Sequence, residues 1–289
     1  MLKRLRRLFA FLLILFSTSA VLSACDDLSP TAETPTFSLA SVAFTYEEAS
    51  LEEPVPEETE NLSYDELDDE PAYEPEPVIR QADEIDPSKP MIAFTFDDGP
   101  SRYTPLILDL LEYYNVRATF GVVGDRVGSR QETVTRAAEL GNEIISHSWS
   151  HRRLTRLSAN QIKNDLLETS RVIEEAVGVA PLIFRPPYGA INNNVMNVSR
   201  ELELAILLWS IDTKDWKYRD ADVIYNIVME HAADGAIVLS HDLYEVTVEA
   251  MERIIPELIS EGFQLVTISE LLGSFEAGEI IRSRDGGNQ

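Results

Sequence analysis

The chain has 289 residues, 44% of them hydrophobic, and a formal net charge of −26 at pH 7, enough length for one large domain or two small ones. That charge excludes nucleic acid as a partner, which needs a basic face, and it excludes adsorption to anionic lipid. Cys25 is the single cysteine, so no internal disulfide can help the chain fold and an apolar core must suffice.

Residues 1–24 read as an export signal. Lys3, Arg4, Arg6 and Arg7 make a positive head, 8–16 an apolar core, and Ser17, Thr18, Ser19 and Ala20 a run of small residues. The apolar core is shorter than the ~20 residues of a membrane span. Leu22-Ser23-Ala24-Cys25 resembles the lipobox of bacterial lipoproteins. That resemblance implies lipid attachment at Cys25 and a place on the extracytoplasmic face of the bacterial cell membrane; several acyl chains anchor stably where one does not. The alternative is cleavage near Ala20, leaving Cys25 a free thiol.

Residues 25–88 form an acidic linker. From 26 to 88 there are 20 Asp and Glu against one basic residue, Arg80, with Pro54, Pro56, Pro71, Pro75, Pro77 and Pro87 adding stiffness. Low hydrophobicity with high charge predicts disorder, and charge repulsion and proline extend the chain, to at most ~190 Å at ~3.1 Å per residue. One apolar patch, 37–46, is expected either to form a short strand or to dock on the folded part. The linker is a spacer or an inert tail; sequence does not separate the two.

From residue 89 to 275 short apolar runs alternate with segments of helical period. Strands are expected at 91–96, 118–123, 142–146, 182–184, 204–208, 236–239 and 264–267, with helices at 103–115, 129–140, 158–177, 192–202, 221–232 and 246–261. Ser158 is placed to cap the third helix and Gly178 to end it. Strict alternation predicts an α/β fold with a parallel sheet covered by helices, and a barrel is favoured over an open sheet because reactive residues follow several different strands. Residues 276–289 are expected to be a flexible C-terminal tail. The 89–289 part holds 30 acidic and 19 basic residues, so most of the excess charge lies in the linker.

Five polar clusters each follow an expected strand: Asp97-Asp98, His147-Ser148-Trp149-Ser150-His151, Arg185-Pro186-Pro187-Tyr188-Gly189, Asp212-Thr213-Lys214-Asp215-Trp216 and Leu239-Ser240-His241. In a parallel sheet all five land at one end. His147 and His151 are four apart, a spacing that lets two imidazoles converge on one ion when the segment curls helically. Two histidines with one carboxylate make a three-ligand set with positions left for water and substrate. The remaining histidine, His231, ends an expected helix and reads as a surface residue.

The clusters TFDDGP (95–100), HSWSH (147–151), RPPYG (185–189), DTKDW (212–216) and LSH (239–241) resemble, in order, the five motifs of the polysaccharide deacetylases of carbohydrate esterase family 4, which share the NodB homology domain. The resemblance covers about 180 of the residues, and it departs from the pattern at Arg152, where the second motif usually has proline. It implies a distorted (β/α)7 barrel and removal of N-acetyl groups from a glycan. It further implies that Asp98, His147 and His151 hold a divalent metal, with zinc the expected ion, that Asp97 is the general base oriented by Arg185, and that His241 is the general acid partnered by Asp215. The backbone N–H at Tyr188 is the implied oxyanion donor. Trp216 walls the acetyl methyl, stacks on a sugar or packs in the core; Leu239 lines the acetyl pocket or simply faces inward; Trp149 meets a sugar ring or not. The expected reaction is deacetylation of N-acetylglucosamine units in a cell-surface polysaccharide, peptidoglycan first, by a monomer. Chitin- or xylan-type substrates, or a non-catalytic glycan-binding lipoprotein on the same fold, are the alternatives.

Overall fold

The computed structural model describes Gln81 and residues 84–286. The signal segment, Cys25, the patch at 37–46 and most of the acidic linker lie outside the described residues.

The elements in order are β1 (Met91–Gly99), α1 (Thr104–Tyr114), β2 (Thr119–Val122), α2 (Gly124–Val127), α3 (Gln131–Glu139), β3 (Glu143–Ser146), α4 (Ala159–Val177), β4 (Ile183–Phe184), α5 (Asn193–Glu201), β5 (Ala205–Leu207), β6 (Ile211–Asp212), α6 (Asp215–Tyr218), α7 (Ala221–His231), β7 (Ala236–His241), α8 (Glu245–Ser260), β8 (Gln264–Leu265), α9 (Ile268–Leu272) and β9 (Ile280–Ile281). The strands run β6-β7-β1-β2-β3-β4-β5-β9, with β8 also on β1, and every pair is parallel. The result is a parallel-strand half-barrel wrapped by helices. Local signals place the helices where the sequence predicts: α4 starts in a capping box made by Ser158 and Gln161 and ends at Gly178, whose φ of 80° is open to glycine.

Alternation along the strands builds two separate packing layers. Ile92, Phe94 and Phe96 of β1, Phe120 and Val122 of β2 and Val238 of β7 face outward, against Ile107 and Leu108 of α1 and Ile254 and Ile255 of α8. Met91 and Ala93 of β1, Ile145 of β3, Ile183 of β4, Ala205 and Leu207 of β5 and Ile237 of β7 fill the interior. A third cluster joins Phe184 and Ile206 to Ile162 and Leu166 of α4 and Val195 and Val198 of α5. Both faces of the sheet are therefore buried, which is why its strands read as unbroken apolar runs.

Three expectations need correction. The cluster at 212–216 does not follow the strand at 205–207 directly; a further short strand, β6, intervenes and pairs with β7, too short to show a period in the sequence. The residues after 275 are not simply a tail: β9 pairs with β5, Ile281 is buried, Ser283 bridges Ala236 and Arg284 meets Asp234 at 2.6 Å. The linker boundary at 88 also falls inside packed structure. The Gln81 side chain donates to the Leu265 carbonyl at 3.1 Å and accepts from the Leu265 N–H at 2.6 Å, while Gln264 exchanges two bonds of 2.7 Å with the backbone of Asp86.

Candidate active site

On four of the strands the interior apolar series ends at one level, and the next inward position is polar. On β1 the series Met91, Ala93, Thr95 runs on to Asp97; on β3 Ile145 is followed by His147, on β4 Ile183 by Arg185, and on β7 Ile237 and Leu239 by His241. On β2 the equivalent place is Gly121. The register puts Asp97 beside Gly121 on one side and His241 on the other. A Cβ on Gly121 would lie 2.3 Å from Oδ1 of Asp97, so only glycine leaves room for that carboxylate.

Alternation alone would send Asp98 to the outer face. Its φ of 70° and a register shift between Asp97 and Gly99 turn it back, and both carboxylates line one pocket. Left-handed backbone at non-glycine residues is costly and collects at functional sites. Here Ser148 (66°), His151 (54°), Tyr188 (63°) and Lys214 (55°) share it. The two ligand-type histidines thus converge through left-handed turns and not through a helical curl, as their spacing alone suggested; their rings lie 5.0 Å apart.

Nε2 of His147 is 3.4 Å and Nε2 of His151 3.2 Å from Oδ1 of Asp98. Bonds of ~2.0–2.1 Å from one tetrahedral ion give ligand separations of ~3.3–3.4 Å, so the three atoms fit such an ion. Oδ1 of Asp98 is buried and has no hydrogen-bond partner among the described residues, an arrangement a cation satisfies. Nδ1–H of His147 donates to the Arg185 carbonyl at 2.8 Å, which leaves Nε2 as the free ligand atom. Burial works against a charge on Asp98, but the close approach of His147, with His151 and His241 behind it, outweighs it and holds its carboxyl well below the usual range. Burial likewise opposes a charge on His147, yet Asp97 and Asp98 lift its pKa above the ordinary value; burial prevails at His151 and lowers it. The same negative field that favours a proton on His147 favours a metal cation, whose binding displaces that proton.

On the opposite side, Oδ1 of the fully buried Asp215 accepts from Nδ1 of His241 at 2.7 Å. Its Oδ2 accepts from the His241 backbone N–H at 2.7 Å and Thr247 Oγ1 at 3.0 Å. Burial pulls the His241 pKa down, but the Asp215 hydrogen bond and charge, helped by Asp97 and Asp98, push it up to about 9.

Arg185 is wholly buried. Nη1 alone reaches Asp97, at 2.9 Å, and also donates to Thr95 Oγ1 at 2.7 Å, while Nη2 donates to the Leu208 carbonyl at 3.0 Å. The guanidinium thereby ties β1 to the end of β5 as well as steadying the carboxylate.

The pocket, about 420 Å³, is also lined by Pro186, Tyr188, Gly189, Trp209, Asp212, Trp216 and Leu239. Trp216 is 49% exposed, so core packing is not its role. Leu239 is buried and lines the pocket. Tyr188 is 58% exposed with its ring edge-on to His151, centroids 4.8 Å apart. Trp149 does not line the pocket: its ring packs on Gly124, and its backbone N–H donates to Asp165 Oδ1 at 2.7 Å. His231 is exposed, as expected.

Sequence reasoning missed three residues. Trp209 is the next inward position after Ala205 and Leu207, so strand alternation could have found it. Asp165, on α4, pins the histidine loop through the Trp149 N–H and Arg152, the latter at 3.3 Å; nothing local separates it from surface acids. Asp242 is fully buried, accepts from Thr104 Oγ1, and receives the Ser101 hydroxyl on its carbonyl. Burial pushes its pKa up to about 7. A Cβ on Gly99 would lie 2.2 Å from its Oδ2, which accounts for the glycine of TFDDGP.

Comparison with known proteins gives a consistent result. A family model described as polysaccharide deacetylase matches residues 84–207. The chain is 44% identical over 183 residues to the peptidoglycan-N-acetylglucosamine deacetylase PgdA of Listeria monocytogenes, covering 63% of this chain and 39% of that protein. It is 42% identical over 188 residues to the peptidoglycan-N-acetylmuramic acid deacetylase PdaC of Bacillus subtilis, covering 65% and 40%, and the solved structure of PdaC matches with a TM-score of 0.62 over 65% of this chain and 92% of that one. A peptidoglycan-N-acetylglucosamine deacetylase of Bacillus cereus is 39% identical over 195 residues, covering 65% of this chain and 91% of its own length. The chain spans about two fifths of the length of the first two relatives.

Proposed function

The chain belongs to the polysaccharide deacetylase family, and from that premise we propose that it is a metal-dependent hydrolase removing N-acetyl groups from N-acetylglucosamine units of peptidoglycan. The observation that carries this reading is the pocket itself, where the three-ligand set of Asp98, His147 and His151 faces the Asp215–His241 pair across Asp97. Two imidazoles and one carboxylate suit zinc. When bound, a divalent cation makes water a stronger acid and polarises the substrate carbonyl.

Asp97, held by Arg185 in a space cleared by Gly121, takes the proton of the attacking water as general base. Tyr188, in a turn set by Pro186 and Pro187, presents its N–H to the developing oxyanion. His241, kept protonated by Asp215, returns a proton to the departing amine nitrogen. Leu239 and Trp216 enclose the acetyl group, and the apolar wall keeps bulk water from the reacting atoms. Relatives act on either of the two peptidoglycan sugars, and the tyrosine at 188 favours glucosamine.

The export signal and the LSAC sequence support attachment of lipid at Cys25, with the acidic linker holding a monomeric catalytic domain at the extracytoplasmic face of the cell membrane. The test is acetate release from peptidoglycan, with mass analysis of the fragments. Loss of acetyl mass on glucosamine, abolished by chelator and restored by zinc, is the expected result; acetyl mass lost from muramic acid alone, or turnover indifferent to chelator, overturns the substrate or the metal.

A further inference from the structure

Beside His241 lies a second, open cleft lined by Ser101, Arg102, Tyr103, Arg219, Tyr244 and neighbours on 243–246. We propose that it is a subsite for a carboxylate carried by the glycan next to the acetylated sugar, with Arg102 and Arg219 as its ligands. The proposal rests on the deacetylase reading above and names the substrate class more narrowly: an acidic glycan, as opposed to a neutral one.

Three loops that serve the pocket continue into this cleft. Residues 101–103 follow Asp98 and the turn at Gly99-Pro100, Arg219 ends the short helix that begins with Asp215, and 243–246 follow His241. The Tyr244 and His241 rings are 6.2 Å apart, centroid to centroid. A polymer that is bound with its acetamide at Asp97 and runs past His241 enters this space.

Two arginines without a carboxylate partner among the described residues meet in this one cleft. In the folded part acidic residues outnumber basic ones by 30 to 19, and several arginines find carboxylates. Arg117 meets Glu270, Arg136 meets Asp109, Arg171 meets Glu168, Arg253 meets Asp222 and Arg284 meets Asp234, all at 2.6–2.7 Å. Arg102 and Arg219 are exposed and make no such pair among the described residues; Glu245, which also lines the cleft, pairs with neither. Each guanidinium is held instead by a tyrosine. Arg102 lies 4.6 Å from the Tyr103 ring centroid and donates to its hydroxyl at 2.5 Å, and Arg219 lies 3.1 Å from the Tyr244 centroid. Stacking fixes a guanidinium while its N–H edge stays free, and that planar edge matches a carboxylate through two donors. The tyrosines supply the apolar wall a sugar ring needs. Neutral glucosamine or xylose polymers would leave both guanidiniums without a partner, whereas a muramic-type neighbour brings a carboxylate on its lactyl ether or on a peptide attached through it.

The test compares the parent protein with Arg102→Ala/Arg219→Ala on three substrates: a neutral N-acetylglucosamine oligomer, glycan strands stripped of peptide so that lactyl carboxylates are free, and strands that keep their peptides. Both arginines are exposed, so the double variant folds. The ratio of kcat/KM for stripped strands to that for the neutral oligomer is expected to fall about tenfold in the variant, the size of one charge-assisted contact; a fall confined to peptide-bearing strands identifies the peptide carboxylate as the ligand. Unchanged ratios on both acidic substrates overturn the subsite. In the Asp97→Asn background, where turnover plays no part, the Kd for stripped or peptide-bearing strands is expected to rise by the same factor, and equal Kd values would sink the subsite whatever the deacetylase reading's fate. Absence of acetate from any substrate with the parent protein speaks against that reading alone.

Discussion

The two flanks of the pocket are made of the same residue types, a carboxylate and imidazole, yet they are finished differently. Around Asp215 every neighbour donates: the His241 ring, its backbone N–H and the Thr247 hydroxyl. Around Asp98 the neighbours are two imidazole nitrogens at 3.2–3.4 Å, and Oδ1 has no hydrogen-bond partner among the described residues. A carboxylate whose lone pairs are all satisfied holds a proton on its histidine partner. A buried one left short recruits a cation. Residue type does not separate the two roles; the donors around each carboxylate do. Asp97 stands between the flanks, tied to neither histidine by a hydrogen bond and held by Arg185.

The sharpest way to break this division is Asp97→Asn. Turnover is expected to fall by about 10²–10⁴, the range of a lost general base, while metal content by elemental analysis matches the parent. Loss of both would place Asp97 on the metal flank. Next in size is Arg185→Ala, which takes the guanidinium away from the buried Asp97. Removing one partner of a buried pair costs about 3–5 kcal/mol, to be read from urea unfolding; a cost under ~1 kcal/mol, the range of exposed pairs, would mean water already reaches the site.

The smallest effect sharpens the other flank. Because folding raises the His241 pKa from 6.5 to about 9, the stability it contributes is complete below pH 6.5 and is lost as pH climbs through 9. Its activity as an acid follows the same limb. Asp215→Asn removes the strongest upward influence, so the alkaline limb of kcat/KM is expected to move toward neutral pH. An unmoved limb would assign it to another group. Part of the elevation comes from Asp97 and Asp98, so metal loading is expected to lower the imidazole pKa seen by NMR, which would show the two flanks sensing each other.

Much of this was legible in the chain before folding. Apolar runs of strand length, helix caps such as Ser158 and the five polar clusters depend only on neighbours a few residues away, and so does the expectation that a parallel sheet gathers the clusters at one end. Other features had no local trace. Strands of two residues, β6 and β9, carry no period, and they exist because longer strands offer them an edge. Asp165 and Asp242 read as two more acids in an acidic protein, and their burial is decided by segments distant in sequence.

The amino-acid order by itself determined which residues stand at the ends of which strands, because period-two alternation and turn chemistry are local. Only the tertiary structure decided that Asp98 turns inward against that alternation, that Gly121 clears space for Asp97, and that Arg185 spans two strands and not one carboxylate. Those outcomes depend on which strands lie side by side and in what register, and that is set by packing across the whole barrel.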